Sequence, residues 1–238
     1  MPPPPPSPPP PRPAIDSAPA APDFPHPPAW AREGLDLLAA RHADLARIEA
    51  EAGPLPWRTR PRGFPGLLRG ITGQMISNQA AAAIWKRVAA LPGARDPAGL
   101  LALPEGALRA AGFSGPKVRH AQALAAACLD GRLRLDDLPG MPDAEALAHL
   151  AAVPGMGPWT AGVHLLFAEQ RADIFPVGDL ALAAALARLR DMPERPSYRA
   201  LSVLALDWAP HRSLAARLLW HWWRHLTGRG TMEEPEPA

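Results

Sequence analysis

The chain has 238 residues, 47% of them apolar, so one or two domains around a sizeable core are possible. A single cysteine, Cys128, excludes an internal disulfide framework and any cluster held by four thiolates, and no apolar run nears the ~18 residues of a membrane span. The formal charge of +2 hides a contrast: residues 1–28 and 231–238 hold one Arg and five acids, leaving 24 basic against 18 acidic side chains between them. That surplus suits a face toward nucleic acid without requiring one.

Residues 1–28 contain 15 of the 33 prolines. Such a segment cannot build a packed core and is expected to be a disordered tail, with no basic-then-apolar pattern of a secretory signal. A cytoplasmic protein is the corresponding expectation. The foldable domain is placed at residues 29–230. Leu35, Leu38, Leu45 and Ile48 recur at helical spacing, which predicts one amphipathic helix over residues 29–52. A Gly/Pro-bounded loop with Arg58, Arg60 and Arg62 follows, with Arg69 shortly after; solvated charge is its plain reading. Residues 64–91 predict a helix interrupted near Gly73, its second part rich in alanine and suited to close helix packing.

Further helices are expected over residues 100–112 and 114–129. Ser114 is placed to cap the second, and Cys128 reads there as a small buried hydrophobe. A connector spans residues 131–140, and Asp143 is expected to cap the next helix. That helix is stopped by Val153-Pro-Gly-Met-Gly157, and another restarts at Pro158, whose missing N–H costs nothing in a first turn. The elbow's free N–H groups and the new helix start converge on a region suited to a phosphate. Twenty-two residues beyond Gly157, Asp179 opens a helix over residues 180–189; capping is its ordinary job. Asp173 reads as structural. Helices over residues 197–206 and 210–226 complete an all-α chain, with Trp220, Trp222 and Trp223 as packing aromatics. His221 and His225 have metal-compatible spacing but no evident third ligand. Residues 231–238 form an acidic, flexible end.

The stretch Leu150-Ala-Ala-Val-Pro-Gly-Met-Gly-Pro-Trp-Thr-Ala161, with Asp179 downstream, resembles the helix-hairpin-helix DNA glycosylase superfamily. Leu67-Leu-Arg-Gly-Ile-Thr-Gly-Gln-Met-Ile-Ser77 and Trp208-Ala-Pro-His-Arg-Ser-Leu-Ala-Ala-Arg-Leu-Leu-Trp220 narrow it to the 3-methyladenine DNA glycosylase II branch. Gly112-Phe-Ser-Gly-Pro-Lys-Val-Arg119 fits the same order. The resemblance implies two helical subdomains flanking a cleft, and excision of alkylated purines from duplex DNA by a monomer. It makes Asp179 catalytic, a fixed negative charge beside C1′ as oxocarbenium character develops. Trp159 stands where strand-cleaving relatives carry a lysine, which implies a monofunctional enzyme.

The base pocket would include Trp159, Trp208, Val163, Leu180 and His211, the last three standing where a bacterial member has aromatics. DNA contacts would come from Gln74, Met75, Ile76 and Ser77, from Gly155, Met156, Gly157 and Thr160, and from Lys117. Met75 or Ile76 would fill the gap left by a flipped nucleotide while the other packs in the core. Carbonyls of Ala151, Val153 and Met156 would hold a monovalent cation. No other cofactor is expected, an iron–sulfur cluster least of all. A noncatalytic DNA-binding module and a glycosylase for deaminated or mismatched bases remain open as rivals.

Overall fold

The computed structural model describes residue 27 and residues 29–228. The expectations for the Pro-rich start and the acidic end therefore lie outside the described residues, Pro27 excepted.

Among the described residues the chain is all-α, with no strand. The helices are α1 (Ala29–Arg41), α2 (Ala43–Ala52), α3 (Gly63–Gly73), α4 (Asn78–Ala89), α5 (Pro97–Leu101), α6 (Ala107–Ala110), α7 (Gly115–Leu129), α8 (Asp143–Ala151), α9 (Pro158–Phe167), α10 (Leu180–Leu189), α11 (Tyr198–Leu204) and α12 (Arg212–Thr227). None is long and apolar enough to cross a membrane. They sort into two halves. In the first, α3 packs on α4, α7 and α9, while α5 lies on α7 and α8 on α9. In the second, α12 packs on α1, α2 and α10. The middle of the chain thus builds one half and its two ends build the other.

Three elements depart from their expected extents. The helix expected over residues 29–52 breaks at His42, which is extended (φ −133°, ψ 93°). Arg41 and His42 reach carbonyls of Asp207 and Ala209 there, so the break lets two short helices follow α12. Periodicity cannot reveal it, because Leu35, Leu38, Leu45 and Ile48 are all buried on either side. The helix expected over residues 100–112 is two short pieces, parted by Pro104 and a left-handed Gly106. Asp143 does not cap α8; Pro142 holds that position, and Asp143 sits in the first turn, 2.6 Å from Arg171. Ser114 does cap α7, accepting from the Lys117 N–H.

The two halves are tied by an unusual group. Arg217 of α12 is buried between the rings of Trp57 (4.0 Å) and Phe167 (4.5 Å) and donates to the carbonyls of Arg58 and Leu166. It has no ion pair among the described residues. Burial, then the charge of Arg60, pulls its pKa down to about 9. Arg190 pairs with Asp44 at 2.6 Å, joining α10 to α2. Trp220 and Trp222 are buried, as expected of packing aromatics, and Trp220 stacks on Phe167 at 5.4 Å.

Candidate active site

The loop before α10 is held by the start of α12. Ser213 Oγ accepts from the Ile174 N–H and donates to the Ile174 carbonyl, both at 2.9 Å, while Arg212 grips Asp173 through two 2.8 Å bonds. Asp173 is therefore structural. Five residues on, Gly178 lies at φ +98°, in the region that favours glycine, and a Cβ there would sit 2.3 Å from the Tyr198 ring. The chain can turn into α10 only because that position has no side chain.

Asp179 caps α10. Its Oδ1 accepts from the N–H groups of Ala181 (2.8 Å) and Leu182 (2.9 Å), satisfying two donors the helix itself cannot. Its Oδ2 accepts from the Trp159 indole N–H at 3.0 Å. A half-buried carboxylate is thus fixed in orientation at both oxygens, across the seam between the halves.

Trp159 also walls a cavity of about 70 Å³ between α3, α4 and α9. Small residues make the hollow: Gly66 and Gly70 on α3, Ala81 and Ala82 on α4. The alanine run expected only to allow close packing thus also shapes a recess. Val163 and His164 lie on its α9 wall, with Trp85, Arg60 and Arg69 around it. Arg60 stands over Phe167 (5.2 Å) and Arg69 over Trp85 (6.0 Å). His164 is buried, and desolvation followed by the charges of Arg60 and Arg62 pushes its pKa down to about 3. The Glu169 carboxylate, held by Arg62, is 3.8 Å from Nε2, beyond hydrogen-bonding range, so burial outweighs it.

Sequence reasoning missed Trp85, His164 and the small residues opposite them. The four-residue spacing of Gly66 and Gly70 was the available signal.

The expected pocket residues divide. Trp159 and Val163 line the cavity. Trp208 is fully buried against Phe175 (ring centroids 5.5 Å apart), in the core rather than on the cavity wall. It closes the tight turn Ala205–Trp208, in which Ala205 is buried as well. Leu180 is 72% exposed and faces a separate groove with Trp223, because the residue after the cap begins α10's outer side. His211 precedes α12 and packs on Gly34 of α1.

The hairpin forms as expected. Met156 N–H bonds the Val153 carbonyl at 2.9 Å, and the N–H groups of Gly155 and Gly157 have no acceptor among the described residues. Gly155 is at φ +87°, and a Cβ there would meet the His120 ring at 2.2 Å. Met156 is buried at the bend. Thr160 is buried as well, its hydroxyl accepting from Gln74 at 3.0 Å. Gln74 also donates to the Gly155 carbonyl at 2.8 Å. Lys117 donates to the Thr72 carbonyl at 2.6 Å, and burial lowers its pKa. Ser77 caps α4.

Between them, Met75 and Ile76 lie in a turn rather than on a helix. Met75 is 100% exposed at φ +59°, and Ile76 is 37% exposed. One of them is expected in the core and neither is there, because the turn after Gly73, with Met75 left-handed, lifts both off the body.

Elsewhere, Cys128 is half-buried, its thiol pushed up to about 11 by burial and then by Asp130, which keeps it protonated. His221 bonds the Gly53 carbonyl and His225 stacks on Trp222. Among the described residues, no group of three or more His, Cys, Asp or Glu is placed to hold a metal.

Residues 68–211, spanning the Gln74 turn, the hairpin and Asp179, match the model of the HhH-GPD superfamily of base excision DNA repair proteins. The chain belongs to this superfamily. It is 26% identical over 161 residues to DNA-3-methyladenine glycosylase 1 of Schizosaccharomyces pombe, covering 66% of this chain and 71% of that protein. Against DNA-3-methyladenine glycosylase 2 of Escherichia coli it is 30% identical over 170 residues, covering 65% and 55%. It spans 39% of a Bacillus subtilis relative to which it is 30% identical over 113 residues. The crystal structure of a DNA-3-methyladenine glycosidase from Bacillus halodurans superposes with a TM-score of 0.71 at 29% identity, over 82% of this chain and 90% of that one.

Proposed function

We propose that this chain is a monofunctional DNA glycosylase of base excision repair, hydrolysing the N-glycosidic bond of alkylated purines of the 3-methyladenine type in duplex DNA. The observation that carries the reading is the Asp179 carboxylate, fixed by two helix N–H groups and by the indole of Trp159, which itself walls the cavity. The names of the relatives favour the same lesion class.

In this reading the nucleotide turns out of the stack and its base enters beside Trp159. The C1′–N bond breaks, its electron pair leaving with the base, while water adds to C1′ and releases a proton. Positive charge builds on C1′ and the ring oxygen as the bond breaks. Asp179 need not move to meet it, and an interaction stronger in the transition state than in the ground state lowers the barrier. An alkylated purine carries positive charge before it leaves, and the Trp159 face attracts it. Met75, exposed and unpacked, is the side chain suited to enter the gap in the stack.

The unpaired N–H groups of Gly155 and Gly157 suit a phosphate. The carbonyls of Ala151, Val153 and Met156 are hard oxygen donors, the first at the open end of α8 where helix carbonyls lack internal partners; they would hold a monovalent cation that bridges to the strand. Trp159 has no amine to form a Schiff base, and the Lys117 ammonium is engaged with Thr72, which supports hydrolysis alone. The protein would act as a monomer in the cytoplasm.

The test is base release from duplexes carrying 3-methyladenine, 7-methylguanine, hypoxanthine or a mismatch, read as strand cleavage after alkali. Release of alkylated bases without cleavage before alkali is expected. Asp179→Asn should lower it at least about 100-fold with duplex binding kept. A normal rate in that variant, or no release by the wild-type chain, overturns the proposal.

A further inference from the structure

We infer that Gln74 is a positioning residue, not a DNA contact: its amide makes the exposed Met75 turn and the hairpin one rigid body. The inference rests on the glycosylase reading. Gln74 is the first residue beyond α3. Its Nε2 donates to the Gly155 carbonyl at 2.8 Å and to the Thr160 hydroxyl at 3.0 Å, residues 81 and 86 positions away. A primary amide nitrogen has two hydrogens, and both are used. The orientation of the amide is fixed by chemistry, since a backbone carbonyl accepts only from the NH₂ side.

Helix α7 backs the same junction twice. Lys117 anchors the end of α3 through the Thr72 carbonyl, and His120, one turn on, lies against Gly155. The residue that follows Gln74 has the opposite character: Met75 is left-handed and wholly exposed. A side chain without contacts can be aimed only by its backbone, and that backbone is tied through the residue before it. Opening a base pair requires force at one nucleotide step while a phosphate nearby is held still. The Gln74 amide supplies the fixed distance between those two grips.

The experiment uses the full chain and Gln74→Met, which keeps length and removes both donors. Duplexes carry a tetrahydrofuran abasic analogue beside 2-aminopurine, whose fluorescence rises on unstacking, or a lesion that is either paired or mispaired. Gln74→Met should lower the fluorescence rise and the single-turnover excision of the paired lesion about tenfold. Excision of the mispaired lesion, already loosely stacked, and duplex affinity should stay within about threefold. Met75→Ala should show the same pattern, and the double variant should be no worse than Met75→Ala alone.

Equal loss on paired and mispaired lesions, no loss, or additive effects would overturn the inference. If Gln74→Met folds poorly, Thr160→Val, which removes one acceptor, is judged by the same ratio. Should the wild-type chain release no base while the fluorescence still separates it from Gln74→Met, the glycosylase reading fails and the strut stands. Should it release bases with both variants responding like wild type, the strut alone fails.

Discussion

The hairpin and the cavity behind Trp159 are neighbours built by different means. The hairpin is backbone: two glycines and a proline within a few consecutive residues leave N–H groups pointing out. The cavity is side chain, or the lack of it: Gly66, Gly70, Ala81 and Ala82 on two helices face Trp159 and Val163 on a third. A surface made by local backbone geometry tolerates change around it and not within it. A hollow made by packing depends on many residues, each of them replaceable in part.

The largest effect that would break this comparison is expected at neither place. Trp208→Ala should cost about 3–5 kcal/mol of stability, since the ring is fully buried, while leaving the relative rates on different lesions unchanged. Denaturant unfolding beside a lesion panel checks it; a changed lesion preference at intact stability would return Trp208 to the pocket.

Next is Gly155→Val. It forces a branched side chain into the left-handed region and against His120, and should weaken duplex binding about tenfold through strain of about 1–3 kcal/mol. Unchanged affinity in a filter-binding or anisotropy titration would mean the hairpin is less exacting than its backbone implies.

Trp159→Phe keeps an aromatic wall and removes the indole N–H from Asp179. It should lower single-turnover excision several-fold, on the order of 1 kcal/mol, with little effect on affinity for the abasic product. The opposite split would make Trp159 a binding residue only.

The smallest effect at neutral pH is that of His164. Folded, it is neutral with a pKa near 3, against about 6.5 unfolded. Between those values only the unfolded chain takes up the proton, so this contribution is complete above about pH 6.5 and is lost as pH falls toward 3. His164→Leu should flatten the decline of Tm over that acid range; a parallel decline in both proteins would show that other groups govern it.

The same contrast explains what could be read in advance. Ser114, Pro158 and Asp179 mark helix starts by chemistry local to each residue, and all three lie where expected. The pocket assignments for Trp208, Leu180 and His211 depended on which way a side chain points after several helices have packed, and they went to core, groove and α1 respectively. The expectation that one of Met75 and Ile76 packs in the core misses for a related reason. Adjacent apolar residues usually mean burial, and only the left-handed turn, invisible in residue types, puts both outside. Gln74 was legible as a polar group at a useful place, but its partners lie more than 80 positions on.

The buried guanidinium of Arg217 carries one more implication. By holding the carbonyls of Arg58 and Leu166 it hangs the segment that delivers Arg60 to the recess from the middle of α12. Helix α12 thereby helps to shape a recess lined by other elements. If the proposed glycosylase reading holds, altering α12 would retune which damaged bases the recess accepts, far along the chain from the hairpin that this reading sets against the strand.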